Sequence, residues 1–254
     1  FDALARKGIL VLNPSALAKL LNVNTIVFDK TETLTNGKPM VQKITTFNHF
    51  NAAEAQQIAY SLEIGLNHPL AKAFKDQGLP KIHFDNICNI PGHGISASYG
   101  SDKYLLGKAD FAADGQLDQG IWLSKNGQQL AQFLLNDPIK PGSKELISSL
   151  QTQAFECHLL SGDSIEKVQS LATALGIPHN QARATPEQKL HYLRNLQTHG
   201  KQILMVGDGI NDAPVLTQAD VSMAMGSGAY LAQNNADLLL LHSKPEQIQQ
   251  VFSI

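Results

Sequence analysis

A β-strand cannot stand alone, and this chain places one strand far from any partner. Thr25-Ile26-Val27-Phe28 has the β-branched, apolar run of a short buried strand, and it stops at polar Asp29-Lys30-Thr31. Matching segments come only after Asp137-Pro138. There, helices over about 141–152, 164–175, 186–198 and 211–218 alternate with strands over about 155–160, 202–206, 220–223 and 237–240. Such alternation predicts α/β architecture with a parallel, doubly wound sheet. The early strand joins that sheet most simply if the region between is an insertion. The expected division is 1–40 with 136–254 as one split domain, and 41–135 as the inserted one.

The insertion reads differently. Residues 52–78 are Ala-rich and helical, interrupted by Asn67-His68-Pro69. Short strands follow over about 82–90, 95–99, 103–106, 120–124 and 129–135, with Asn126-Gly127 as a hairpin signal. These predict a small α+β domain on a mainly antiparallel sheet. Residues 1–22 are amphipathic, with Ser15 expected to cap a short helix over 16–22.

Composition removes several classes of function. The 254 residues are 43% hydrophobic and 17% charged, enough for packed cores. Twenty Lys and Arg against 22 Asp and Glu leave −2, so no nucleic-acid partner is expected. Apolar runs such as Leu238 to Leu241 fall far short of the roughly 18 residues of a membrane span. No secretory pattern opens the chain, and a start at Phe1 suggests a piece of a longer protein. Cys88 and Cys157 have no metal-ligand spacing and read as reduced core residues. His158, His179, His191, His199 and His242 read as surface or packing residues; Trp122, Met205, Met223 and Met225 read as core.

In open α/β sheets, ligands gather at the carboxyl ends of the strands. Three ends here are rich in Asp: Asp29, then Ser161-Gly162-Asp163, then Asp208 with Asn211-Asp212. One Asp after a strand is commonly a helix cap. Several converging carboxylates repel one another unless a cation joins them, and Mg²⁺ suits hard oxygen donors beside a phosphate. A carboxylate in that setting can attack phosphorus, with Lys189 neutralising charge and Ser161 with nearby N–H groups holding phosphate oxygens.

The wording of these segments carries a resemblance. Asp29-Lys30-Thr31-Glu32-Thr33-Leu34-Thr35 resembles the D-K-T-G-T-L-T phosphorylation motif of P-type ATPases. Ser161-Gly162-Asp163 resembles their T/S-G-D motif, Pro186 through Lys189 their P-x-x-K, and Gly207 to Pro214 their G-D-G-I-N-D-A-P hinge. Glu63, His68-Pro69, Gly92-His93-Gly94 and Gly107 resemble the nucleotide-binding set of the heavy-metal branch. The resemblance covers nearly the whole chain and implies a haloacid-dehalogenase-like fold.

It also implies roles. ATP is expected near Glu63, His68, Gly92, Gly94 and Gly107. Asp29 is the phosphorylated nucleophile, and Mg²⁺ is held by Asp29, Asp208 and the Thr31 carbonyl. Thr31, Ser161, Gly162 and Lys189 steady the phosphoryl group. Asp163 serves nucleotide contact and domain closure, and Asn211 and Asp212 support the site. Transmembrane and actuator domains, the latter with a T-G-E motif that this chain lacks, are the implied partners. The transported ion is bound in the former, and the catalytic part sits on the cytoplasmic face of a membrane. Residues 1–12 resemble a stalk below a membrane helix. The wording is most similar to copper pumps, with zinc or another divalent ion as the alternative.

Soluble phosphatases of the fold usually resemble D-x-D, whereas Thr31 stands at the second carboxylate here. Without that acid/base group, an aspartyl phosphate should hydrolyse slowly. Other departures point toward weaker chemistry. Glu32 replaces Gly, Ala229-Tyr230 replaces Thr-Asp, Asn67 replaces Glu, and Lys108 replaces Asn. A degenerate nucleotide-binding module is therefore a competing expectation.

Overall fold

The computed structural model describes residues 2–66, 70–75, 80–113, 120–208, 213–226 and 236–252. The chain opens with α1 (Asp2–Arg6), β1 (Ile9–Val11), α2 (Ser15–Leu20) and β2 (Thr25–Asp29). It continues with β3 (Met40–Thr46), α3 (Ala52–Gly65), α4 (Ala71–Phe74), β4 (Asp85–Ile90), β5 (Gly94–Tyr99) and β6 (Asp102–Gly107). Next come α5 (Ala109–Ala112), β7 (Ile121–Lys125), β8 (Gln128–Asn136), α6 (Ser143–Thr152), β9 (Glu156–Leu160) and α7 (Ile165–Leu175). The last elements are β10 (His179–Gln181), α8 (Pro186–Thr198), β11 (Ile203–Gly207), α9 (Ala213–Gln218), β12 (Val221–Met225), β13 (Leu238–Leu240) and α10 (Pro245–Val251). Two compact units result: residues up to Gly37 with those from Ile139 onward, and Lys38–Pro138.

The first unit holds a seven-stranded sheet ordered β1-β13-β12-β11-β2-β9-β10. All neighbouring pairs are parallel except β1 with β13. Its central strands are buried throughout and mostly apolar because both faces are covered. Period-2 alternation sends Ile26, Phe28, Leu204 and Val206 into a core with Leu146 and Ile147 of α6, Val168 of α7 and Ile248 of α10. It sends Val27, Ile203 and Met205 the other way, against Leu193 of α8 and Val215 and Leu216 of α9. The strand at 25–29 therefore does find its neighbours, β11 and β9, long after it in sequence.

The second unit is a six-stranded antiparallel sheet ordered β3-β8-β7-β6-β5-β4. On one face, Ala55, Ile58, Ala59 and Leu62 of α3 pack on Ile95, Ala97, Leu106, Leu123 and Phe133. Trp122 lies with Ala109 and Ala112 in a separate cluster, its ring stacked on Phe47 at 5.6 Å. Asn126 and Gly127, at φ 50 and φ 81, make the two-residue turn between β7 and β8. Lys103 N donates to Asn126 Oδ1 at 2.8 Å.

The chain crosses between the units twice, at neighbouring places. Thr35 forms an antiparallel bridge with Ile139 in the first unit, and Met40 pairs with Asn136 in the second.

Several expectations need correction. Ser15 lies inside α2 and does not cap it; Asn13 Oδ1 accepts from Ser15 N at 3.2 Å and from Ser15 Oγ at 2.8 Å. Within residues 1–12, likened to a stalk, Asp2–Arg6 forms α1 and Ile9–Val11 an edge strand of the sheet, with Leu4 and Ile9 buried. Cys88 is exposed, not core; Cys157 is buried, and burial pushes its thiol up to about 12. His158, read as a surface or packing residue, is buried and so packs within the fold. Strands β3 and β10 and helix α10 were not expected. β3 is a half-exposed edge strand with a bulge between Val41 and Lys43, and β10 is three polar residues, so neither shows a clean period.

Candidate active site

Strand register assembles the site in the first unit. Asp29 pairs with Leu160, and Phe28 with Val206, so Asp29, Ser161 and Gly207-Asp208 reach the same carboxyl edge. Asp29 and Asp208 are both buried. A Cβ on Gly207 would lie 3.7 Å from Asp29 Cβ, so the two backbones run close.

Lys189 Nζ donates to Asp29 Oδ1 at 2.7 Å, with both side chains less than a tenth exposed. The helix start aims that lysine. Thr185 caps α8 in a reciprocal box with Gln188, and Pro186 fills the first turn, where its missing N–H costs nothing. Thr31 N donates to Asp29 Oδ2 at 3.1 Å, so each carboxylate oxygen has a fixed donor. Thr31 itself is exposed. A buried ion pair is a weak source of stability, because desolvation offsets most of the Coulomb gain. Its presence at a strand end is better explained by chemistry that needs a positioned carboxylate.

The Ser161-Gly162-Asp163 loop is braced from the next connection. Ser161 N donates to Gln181 O, Ala184 N to Ser161 O and Arg183 N to Asp163 O, all within 3.0 Å. Ser161 Oγ accepts from Asp163 N at 3.1 Å. A Cβ on Gly162 would meet nothing closer than Ala184 O at 3.6 Å, so packing within the chain does not require glycine there. Asp163 is ion-paired with Lys30, whose side chain is 9% exposed. Sequence reasoning passed over Lys30; its signal was its place directly after Asp29, at the end of a mostly apolar strand.

Glu32 stands at φ 58, ψ −3, in the left-handed region. That is the conformation which glycine, the residue at this place in the motif the segment resembles, adopts without a Cβ penalty. The Glu32 carbonyl accepts from Lys140 Nζ. Its side chain turns toward Gly37, where an added Cβ would fall 2.2 Å from Glu32 Cγ. Asn211, Asp212 and Ala229-Tyr230 lie outside the described residues.

Among the described residues of this edge, Asp29 and Asp208 offer hard carboxylate oxygens. That donor chemistry fits Mg²⁺.

In the second unit, Glu63 is buried in the last turn of α3. His68 and Asn67, just beyond, lie outside the described residues. Gly92 has φ 80 and open space where a Cβ would be. Gly94 and Gly107 pair across β5 and β6, and a Cβ on either would come within 2.3 Å of a backbone oxygen, Leu106 O or His93 O. Close strand approach therefore accounts for both glycines by itself.

The haloacid dehalogenase-like hydrolase family matches residues 23–220. The chain is 37% identical over 261 residues to the nitrogen fixation protein FixI of Rhizobium leguminosarum bv. viciae, covering 99% of this chain and 34% of that protein. It is 34% identical to a copper-exporting P-type ATPase of Vibrio cholerae, covering 96% and 29%, and 33% identical to a zinc-transporting ATPase of Bacillus subtilis, covering 93% and 40%. It thus spans about a third of the length of these relatives. Among solved structures, the catalytic CPx-ATPase domain CopB-B is similar over 100% of this chain and 98% of its own, with TM-score 0.77 and 30% identity. With its phosphorylation-type motifs on one sheet edge and this likeness along its whole length, the chain belongs to the haloacid dehalogenase-like hydrolases, as a catalytic domain of the heavy-metal P-type ATPases.

Proposed function

We propose that this chain takes the γ-phosphoryl group of ATP onto Asp29, as the catalytic part of a pump for copper(I). The observation that carries the reading is the buried Asp29 carboxylate, held by Lys189 and by Thr31 N–H, with threonine rather than a second carboxylate two residues on. An Asp29 oxygen forms a bond to the γ-phosphorus. The bond from that phosphorus to the bridging oxygen breaks, and ADP leaves with the electron pair. Lys189 fixes the nucleophile and offsets charge on the incoming phosphoryl oxygens. Ser161 and the N–H groups at the start of α7 supply further donors there. Asp29, Asp208 and the Thr31 carbonyl would hold Mg²⁺, which when bound neutralises phosphate charge. Glu63, His68 and the Gly92 turn hold the nucleotide on the second unit, with Gly94 and Gly107 shaping the strands beside it.

Thr31 cannot act as general base, so water attacks the acyl phosphate slowly. That lifetime suits a covalent state read by transmembrane and actuator domains elsewhere in a longer membrane protein. Copper is favoured by the wording of the motifs and by the copper-exporting relative. Zinc is the second reading, because the Bacillus relative is nearly as similar. A Cys-Pro-Cys in an apolar helix upstream in the parent gene would favour copper.

The test is incubation of the chain with ATP labelled at the γ-phosphate. Acid-stable, hydroxylamine-sensitive label is expected in the wild type and none in Asp29→Asn. Label in Glu32→Gly but none in the wild type would instead support the degenerate nucleotide-binding module.

A further inference from the structure

We propose that Glu156, His158 and His179 form a binding site for one divalent ion of intermediate hardness, Zn²⁺ being the representative, away from the Asp29 edge. Among the described residues they are the place where three His, Cys, Asp or Glu ligand atoms come within 4.8 Å of one another.

The fold builds the cluster. Glu156 and His158 are two residues apart on β9 and share a face. His179 of β10 is the register partner of His158, and their rings stack at 4.7 Å. Cys157 points to the other face, into the main core. Glu156 pairs with Thr25, at the end of the sheet opposite to Asp29 and Leu160.

The distances suit an ion. His158 Nε2 lies 2.9 Å and His179 Nε2 3.7 Å from the same Glu156 oxygen, Oε1. Tetrahedral Zn²⁺ with bonds of about 2.0–2.1 Å separates its ligands by about 3.3–3.4 Å, between those two values. Small movements of the half-exposed His179 would close the set, leaving a fourth position for water. The surroundings resemble the outer shell that metal-binding histidines need. Tyr192 Oη is 2.7 Å from His158 Nδ1, and Lys201 engages the second Glu156 oxygen, Oε2, leaving Oε1 to the ion. Without metal, Nε2–H of His158 donates to the carboxylate and Nδ1 accepts from Tyr192. With metal, the tautomer reverses and the tyrosine oxygen accepts. The side chain of Glu156 is 30% exposed and that of His179 50%, which gives an ion a path in.

Zn²⁺ titrated calorimetrically into the chelator-stripped chain at neutral pH tests this, beside His179→Ala and His179→Cys. The expected result is one equivalent in the wild type, on the order of tenfold or more weaker binding in His179→Ala, and recovery in His179→Cys, where a thiolate replaces the imidazole. Co²⁺ bound to the cysteine variant should add a sulfur-to-metal absorption band. Circular dichroism of His179→Ala checks that the half-exposed substitution leaves the fold intact. No binding by the wild type, or equal binding by His179→Ala, would overturn the proposal, the latter by placing the ion elsewhere. The experiment reads no phosphorylation, so its outcome is independent of Asp29.

Discussion

In the parallel sheet, Asp29 and Lys189 meet where both are nearly shut off from water; in the antiparallel sheet, Asp102 and Lys125 meet at 2.7 Å with about a third of each side chain in solvent. The first pair costs desolvation and sits at the site where the chemistry is proposed. The second fastens a turn beside Asn126. Burial of both sheet faces lets the first unit hold charges in a low-dielectric setting. The second unit relies on an apolar face against α3 and leaves its charges outside. The lesson is that the architecture which covers a sheet also decides what its charged residues are worth.

The single tryptophan allows this contrast to be tested unit by unit, because Trp122 fluorescence reports the second unit. Phe133→Ala removes a fully buried ring that meets Phe74 edge-on at 5.1 Å. It should destabilise the second unit by about 3–5 kcal/mol, shifting the fluorescence midpoint in urea. Lys189→Ala should cost the first unit about 3 kcal/mol, because a buried carboxylate loses its ion-pair partner. That loss should show in far-ultraviolet circular dichroism with the fluorescence transition unmoved. Movement of both signals together would break the comparison by making the units one cooperative system.

Glu32→Gly should stabilise the first unit by about 1 kcal/mol, since a left-handed residue no longer carries a Cβ. A loss of stability on urea unfolding would mean that the Glu32 side chain against Gly37 outweighs the strain.

Acid should separate the units without mutation. Hydrogen bonding from Lys201, opposed by burial and aided by His158, holds Glu156 below its ordinary 4.5, and burial holds His158 below 6.5. Both groups bind fewer protons folded than unfolded. Their contribution is complete above pH 6.5 and is lost as pH falls, first through His158 and then through Glu156. Melting of the metal-free chain from pH 8 to 5 should show the first unit weakening. In the second unit, Asp102 is lowered from 3.8 and Lys125 raised from 10.5, so this pair titrates outside that range. An unchanging first unit would sink the idea. The smallest effect should be that of Asp102→Asn, an exposed pair whose loss barely moves the fluorescence midpoint.

What was legible in the sequence follows the same division. Runs such as Ile26-Val27-Phe28 and Ile203 to Val206 announce buried parallel strands, and the polar residues ending them mark the edge where Asp29 and Asp208 gather. The edge strands β1, β3 and β10 were not legible. β1 and β10 are three residues long, and their pairing is decided by neighbours remote in sequence. Consequently the His158–His179 stack, which exists through the β9–β10 register, looked like two scattered histidines. Gly94 and Gly107 stood out by motif, yet their steric reason appears once β5 and β6 are paired.

The crossing points at Thr35–Ile139 and Met40–Asn136 carry a consequence for the history of the chain. The entropy of closing a loop grows only with the logarithm of its length. When the two ends of an inserted segment already meet, the host closes nearly the same loop whether the guest is large or small. The first unit can therefore have acquired, enlarged or exchanged the segment between Gly37 and Ile139 while keeping its own strand order.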